Sequence, residues 1–125
     1  MKIKLLTICL LLFTSQVSAK WLFLSVHPDG VEYYYDSEKI KKQGRYVDFW
    51  LLVSLPRKSE HGDLSMKQNL RVDCKKFRMK TLSDFYYAKK MGRGKINSSS
   101  KIPDKKWYKV PANSFIATAI GKVCN

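Results

Sequence analysis

Hydrophobic and polar residues alternate along most of the chain beyond residue 20, as they do in strands that bury one face. Every second residue is apolar in the stretch 45–55, namely Val47, Phe49, Leu51, Val53 and Leu55. Residues 65–74 alternate in the same way and place Lys67 and Arg71 on the polar face. The pattern predicts two long strands that contribute apolar side chains to one core.

Shorter apolar runs predict four further strands. Residues 21–26 and 31–35 flank the turn-forming sequence His27-Pro28-Asp29-Gly30 and predict a hairpin. The apolar positions change parity at Lys75-Lys76, which predicts a bulge or a tight turn before a strand that starts near Phe77. Residues 107–110 predict a last strand.

Two stretches lack strand periodicity. Residues 36–39 predict a short turn or a helical start that ends near Gly44. Residues 91–100 are rich in Gly, Lys, Asn and Ser and predict a loop.

The period changes to that of a helix after Pro111. Asn113 or Ser114 can cap the helix, and its apolar stripe consists of Ile116, Ala119, Ile120, Val123 and Cys124. The expected fold is therefore α+β, an antiparallel sheet of about six strands with a C-terminal helix packed on one face.

The first nineteen residues have the pattern of a Sec-type signal peptide. Lys2 and Lys4 precede the apolar run 5–13, and the small residues of 17–19 form a cleavage site. The nine apolar residues are too few for a membrane-spanning helix, which needs about 20. We therefore expect residues 1–19 to be removed and residues 20–125 to form one domain, in the periplasm, secreted or on the cell surface.

A lipoprotein is the alternative to an ordinary signal peptide, because Cys9 lies near the start of the chain. Ile8 stands where lipoprotein cleavage requires Gly or Ala, and Cys9 lies inside the apolar run. A lipid anchor is therefore not expected.

Two cysteines remain after the signal, Cys74 and Cys124. An even pair in an exported chain predicts a disulfide. Both lie on apolar faces, which would let the sulfur atoms meet inside the core. Paired thiols for redox or metal chemistry are the alternative, disfavoured by the export signal and by the absence of a CxxC spacing.

Charge is the strongest compositional signal. The chain has 24 Lys and Arg against 10 Asp and Glu, a formal charge of +14, which becomes +12 once Lys2 and Lys4 are removed. Such an excess implies acidic partners. The predicted binding residues on and beside the second long strand are Lys67, Arg71, Lys75, Lys76, Arg78 and Lys80. A solvated face without a ligand is the alternative.

Several acidic ligands fit such a surface: acidic proteins, glycosaminoglycan-like polymers and anionic lipid headgroups. Nucleic acid is disfavoured. Tyr86 and Tyr87 lie near lysines, as in base-stacking surfaces, but exported proteins rarely meet nucleic acid and no RNP-type or OB-fold pattern is present.

Enzymatic chemistry has little support in the sequence. His27 and His61 could form the acid–base pair of a small basic hydrolase or ribonuclease, but no nucleophile motif accompanies them. Two dispersed histidines are too few ligands for a metal site. We expect no enzyme activity, no cofactor and no metal. Asp36 is expected to cap a turn and Asp73 to pair with a nearby cation.

The ordered set of aromatic, glycine and cysteine positions resembles the surface-adhesin protein E-like family of Gram-negative bacteria. The resemblance covers Trp21 to Cys124 and is carried by Trp21, Gly30, Tyr34-Tyr35-Asp36, Trp50, Val72-Asp73-Cys74, Met91-Gly92-Arg93-Gly94-Lys95, Trp107, Pro111, Ser114 and Val123-Cys124. It implies a six-stranded antiparallel sheet with a helix tied by a Cys74–Cys124 disulfide.

The resemblance also implies a binding role, adhesion to host extracellular-matrix proteins, with dimerisation through the sheet. A surface adhesin of this type would use a lipid anchor, which this chain is not expected to have. A periplasmic, envelope-associated accessory protein without a host ligand is therefore the alternative function.

Overall fold

A computed structural model describes residues 19–101 and 106–125. The predicted signal peptide lies outside the described residues apart from Ala19. The strands are β1 (Trp21–Val26), β2 (Glu32–Asp36), β3 (Lys41–Gln43), β4 (Tyr46–Ser54), β5 (Ser65–Asp73), β6 (Arg78–Tyr87), β7 (Ile96–Ser100) and β8 (Tyr108–Lys109). A short 3-10 turn at Lys90–Gly92 precedes β7, and helix α1 (Phe115–Val123) ends the fold.

All strands belong to one antiparallel sheet with the order β1-β2-β4-β5-β6-β7. β2 and β3 pair with successive parts of the same edge of β4. β7 and β8 likewise share the outer edge of β6. The two long strands predicted from their alternation, β4 and β5, thus form the middle of the sheet.

The described sheet has eight strands instead of the expected six. The turn or helical start expected before Gly44 is followed by β3, whose three residues are all exposed. The loop expected at 91–100 contains β7, which is mostly exposed. Neither strand has hydrophobic alternation, because each is held on an edge by backbone hydrogen bonds and buries little side-chain surface.

The core lies between one face of the sheet and α1. The apolar positions of β4 and β5 that face α1 are buried, apart from the partly buried Met66, and Phe49 and Leu70 are fully inaccessible. The predicted helix stripe is confirmed, since Ile116, Ala119, Ile120 and Val123 are the buried residues of α1. Ser114 caps the helix by accepting a hydrogen bond from the Ala117 backbone N–H.

The predicted disulfide is present. Cys74 follows β5 and Cys124 follows α1, with their Cα atoms 5.8 Å apart. The ring of Phe115 stacks on Tyr33 of β2 with centroids 3.8 Å apart. The helix is therefore held at its first turn by this stacking and just after its last residue by a covalent bond. Among the described residues, no helix is long and apolar enough to cross a bilayer.

Candidate functional site

The sheet surface opposite α1 carries no helix, and we call it the open face. Residues that pair across strands point to the same side of a sheet. Asp48 pairs with Arg71, which pairs with Lys80, and Leu52 pairs with Lys67, which pairs with Phe85. These residues alternate with the core positions that face α1, so they lie on the open-face side of the sheet, where Leu52 is itself fully buried.

All three tryptophans of the protein contribute to this face. Trp50 lies on β4, with its ring centroid 5.9 Å from that of Phe85. Trp21 of β1 lies 5.6 Å from the Lys67 ammonium. Trp107, just before β8, stacks on Tyr46 at 5.7 Å. Large rings and long cationic side chains therefore alternate across this surface, which in the described structure is covered only near Lys67, by the 3-10 turn Lys90–Gly92.

The structure places the six predicted binding residues in two settings. Lys67, Arg71, Arg78 and Lys80 are half-buried on the open face. The other two, Lys75 and Lys76, are exposed in the turn between β5 and β6. The predicted parity change is thus a tight turn, in which the Phe77 N–H donates to the Asp73 carbonyl oxygen.

Asp73 organises that turn. Its carboxylate is fully buried and accepts hydrogen bonds from Arg45 Nη2 at 2.6 Å and Arg78 Nε at 3.0 Å. The backbone N–H groups of Lys75 and Lys76 each donate to its Oδ1 at 3.1 Å. These donors, Arg45 foremost, hold the pKa of Asp73 far below its ordinary value despite burial. The expected pairing of Asp73 with a nearby cation is confirmed.

Two of the predicted binding cations are therefore already paired within the fold. Besides Arg78 with Asp73, Arg71 donates from Nε to Asp48 Oδ1 at 2.7 Å and from Nη2 to Oδ2 at 2.9 Å. An ion pair cancels much of the long-range field of its cation. The uncompensated charge of the predicted set therefore comes chiefly from its lysines.

Lys80 lies against an aromatic ring. Its ammonium is 4.7 Å from the Trp107 centroid, and the Arg78 guanidinium is 4.6 Å from the same centroid. A shallow pocket of about 270 Å³ opens beside this group, lined by Gln43, Tyr46, Arg71, Lys80 and Trp107. Cations held over a ring are positioned for a ligand while still carrying their charge.

Lys67 lies in a second pocket of about 210 Å³, which we call the Lys67 pocket. It is lined by Ala19, Trp21, Asp36, Lys39, Trp50, Lys67, Phe85, Tyr87 and Ile96. The Lys67 ammonium is 4.9 Å from the Tyr87 ring centroid. Burial lowers the pKa of Lys67, with a smaller contribution from the neighbouring charge of Lys39.

The 3-10 turn before β7 limits where the Lys67 side chain can lie. The Gly92 N–H donates to Ser65 Oγ at 2.8 Å, and that hydroxyl donates to the Lys89 carbonyl oxygen. A Cβ on Gly92 would lie 2.3 Å from Lys67 Cε, so any other residue here would force the end of the Lys67 side chain to move. Sequence reasoning missed Ser65 and Gly92, although Gly92 lies in one of the motifs that carried the family resemblance.

Replacing Gly92 with Ala tests this positioning. We expect a loss of about 1 kcal/mol in the free energy of unfolding, because the residue has φ +65°. We also expect a displaced Lys67, visible as shifted NMR signals of its side chain and of the Trp21 indole. Gly44→Ala is the matched control, since Gly44 has φ +60° but nothing within 4 Å. Unchanged Lys67 and Trp21 signals in Gly92→Ala would contradict the role of Gly92.

The two histidines lie in different loops. His27 is in the β1–β2 turn, where its Nδ1 is 2.8 Å from Asp29 Oδ1. His61 lines an apolar pocket of about 180 Å³ in the β4–β5 loop, together with Asp63 and Tyr86. Within residues 19–101 and 106–125, no three His, Cys, Asp or Glu residues are grouped as metal ligands.

Tyr86 and Tyr87 face opposite sides of the sheet. Tyr87 lines the Lys67 pocket, while Tyr86 lines the pocket that contains His61. The two rings therefore form no shared stacking platform. Asp36 fulfils the expected capping role, since its Oδ1 accepts from the Glu38 backbone N–H at 2.9 Å.

Comparison with known proteins finds one family. The profile described as surface-adhesin protein E matches residues 21–125. Two solved structures of Haemophilus influenzae protein E are similar in fold: one aligns with a TM-score of 0.65, 18% identity and 86% of each chain covered. The other, from a non-typeable strain, aligns with a TM-score of 0.56, 19% identity, 88% of this chain and 78% of that chain. No curated protein sequence matches.

Proposed function

Because the chain belongs to the surface-adhesin protein E family, we propose that it is an exported, non-enzymatic binding protein that attaches to acidic macromolecules, host extracellular-matrix proteins among them. The signal peptide 1–19 directs export, and the domain 20–125 binds. The binding residues are those named from the sequence, Lys67, Arg71, Lys75, Lys76, Arg78 and Lys80. The observation that supports this most directly is the open face, where cations lie among three tryptophans.

The six residues contribute unequally to this function. Lys75 and Lys76 are exposed, and Lys80 carries its charge over Trp107. These lysines supply attraction at a distance. Arg71 and Arg78 are held by carboxylates, so they contribute rigid hydrogen-bond donors at close range. Aromatic rings beside them supply apolar contact area, which gives affinity where charge alone gives mainly rate and specificity.

The test is binding of the domain 20–125 to immobilised matrix proteins and to heparin, an acidic polymer probe. We expect affinity to fall steeply with salt, since the attraction is between exposed charges. The triple variant Lys75→Glu, Lys76→Glu, Lys80→Glu should weaken binding by about tenfold or more. These three lysines are chosen because none of them forms an ion pair with another residue in 19–101 or 106–125.

Its matched control changes Arg57, Lys58 and Lys122 to Glu, which alters the net charge by the same amount. All three are exposed, in the β4–β5 loop and on α1. Equal weakening in both triple variants would show a nonspecific effect of net charge and would overturn the open face as the site. Fractionation of the native cell tests adhesion itself, because a protein confined to the periplasm cannot contact a host.

A further inference from the structure

The Lys67 pocket has features that the charge of the open face alone does not explain. Its walls are mainly rings, with Trp21, Trp50, Phe85 and Tyr87 around the Lys67 side chain. Its volume of about 210 Å³ equals that of about seven water molecules at roughly 30 Å³ each. The space therefore suits one ring or one short apolar chain and is too small for a folded segment.

The pocket carries more positive than negative charge. Among the described residues, no Asp or Glu is close enough to Lys67 for an ion pair. Asp36 in the pocket wall is 1% exposed, accepts from the Glu38 backbone N–H, and attracts Lys67 only as a minor influence on the lysine pKa. Lys39 adds a second positive charge to the rim. Two lysines against one carboxylate leave the pocket with a net positive charge, and an ammonium that is half-buried among rings and has no direct ion pair is complementary to an anion.

Polar groups for a neutral or hydroxyl-rich ligand are few. Besides the two lysines, the wall contains Asp36, which is already engaged, and the single polar atoms of Tyr87, Trp21 and Trp50. A sugar ring would bury several hydroxyl groups here without partners, which is costly. An apolar ligand with a single anionic group buries no unpaired hydroxyl group, because its ring contacts the aromatic walls and its charge contacts Lys67.

We propose that the Lys67 pocket binds an apolar carboxylate, with the aromatic or aliphatic body among Trp21, Trp50 and Phe85 and the carboxylate on Lys67 Nζ. The group has two sources, a free small acid or the C-terminal residue of a protein partner. The second source rests on the proposed function, because a protein bound to the open face would insert its C-terminal residue into the pocket. Binding of a free acid does not depend on it.

The test is an NMR titration of the domain 20–125, which keeps every lining residue of the pocket except Ala19, with 3-phenylpropionate, followed at the indole N–H signals. We expect saturable shifts at Trp21 and Trp50 and none at Trp107. Affinity should be at least tenfold lower for 3-phenylpropionamide and for 3-phenylpropylamine, which keep the ring but lose the negative charge. Glucuronate should bind more weakly than the phenyl acid.

Lys67→Met removes the ammonium and keeps an unbranched apolar side chain. We expect this variant to bind the acid and the amide equally, with unshifted Trp107 signals reporting an intact fold. Lys80→Met is the matched control, since Lys80 also lies over a tryptophan, and it should keep the preference for the acid. Gly92→Ala should reduce that preference without removing any charge.

The source is distinguished with two peptides that end in phenylalanine, one with a free C-terminus and one amidated. Tighter binding of the free peptide than of 3-phenylpropionate supports a protein partner, and the reverse supports a small acid. Equal affinity for acid and amide in the wild type, or stronger binding of glucuronate, overturns the pocket proposal. If the domain 20–125 does not bind matrix proteins or heparin but still shows the saturable titration with 3-phenylpropionate, the proposed function is overturned and the pocket proposal stands.

Discussion

Replacing Asp73 with Ala is expected to lower the free energy of unfolding by about 3 kcal/mol, near the lower end for breaking a buried charge network. Asp73 is fully buried, while Arg45 and Arg78 are 33% and 29% exposed and can reach water once the carboxylate is gone. The backbone N–H groups of Lys75 and Lys76 lose their acceptor as well. Urea denaturation at pH 7 measures the change.

Asp48→Ala is the matched control. Asp48 makes the same paired contact to Arg71 on the same face, but both side chains are more exposed, 21% and 36%. A pair in that position contributes about 1 kcal/mol or less. If Asp73→Ala cost no more than Asp48→Ala, the carboxylate would not be organising the turn.

The pH dependence of Asp73→Asn gives a second readout of the same carboxylate. The folded state lowers the pKa of Asp73 below its ordinary value of 3.8, chiefly through Arg45. The stabilisation is therefore fully present above pH 3.8 and is lost as the pH falls toward the folded-state pKa. The difference in stability between wild type and Asp73→Asn should be constant from pH 7 to about 5. It should then shrink below pH 4; a difference that persists in acid would contradict this.

Loss of the Cys74–Cys124 disulfide is expected to cost more, about 4 kcal/mol in the chain-entropy model for cysteines 50 residues apart. The free energy of unfolding of a native domain is about 5 to 15 kcal/mol, so this bond would account for a large share of the stability. Cys74→Ala/Cys124→Ala should move the urea midpoint downward. The packed apolar stripe of α1 should still keep the helix on the sheet in the absence of denaturant.

Reduction supplies the control for that experiment. A reducing agent should lower the midpoint of the wild type to near that of the double variant and leave the double variant unchanged. A wild type indifferent to the reducing agent, with two free thiols by mass mapping, would show that the cysteines do not pair.

The elements that could be predicted from the sequence are those whose side chains are sorted by burial. Phe49 and Leu70 recur at period two and Ile116 and Ile120 at helical spacing, because each element faces the core on one side. The disulfide followed from the even pair of cysteines in an exported chain, and their places on apolar faces agreed with it. β3 and β7 could not be predicted, since backbone pairing on a sheet edge leaves no trace in the hydrophobic pattern.

The sequence predicted which face the site residues occupy but not which residues they contact. Period two correctly placed Lys67 and Arg71 opposite the core, yet it carries no information about what lies across the sheet. Trp21 reaches Lys67 from β1, and Trp107 reaches Lys80 from the chain before β8. Such contacts depend on strand order and register, which one sequence does not specify locally.

In the turn after β5, two residues use their backbone for the fold and leave their side chains free of it. Lys75 and Lys76 satisfy Asp73 through their N–H groups, while their side chains extend into solvent. Every amino acid except proline can supply that N–H group. The tip of the turn can therefore change size or charge during evolution while the anchor beneath it stays intact. Related chains could diverge in their partners at these two positions and keep the same fold.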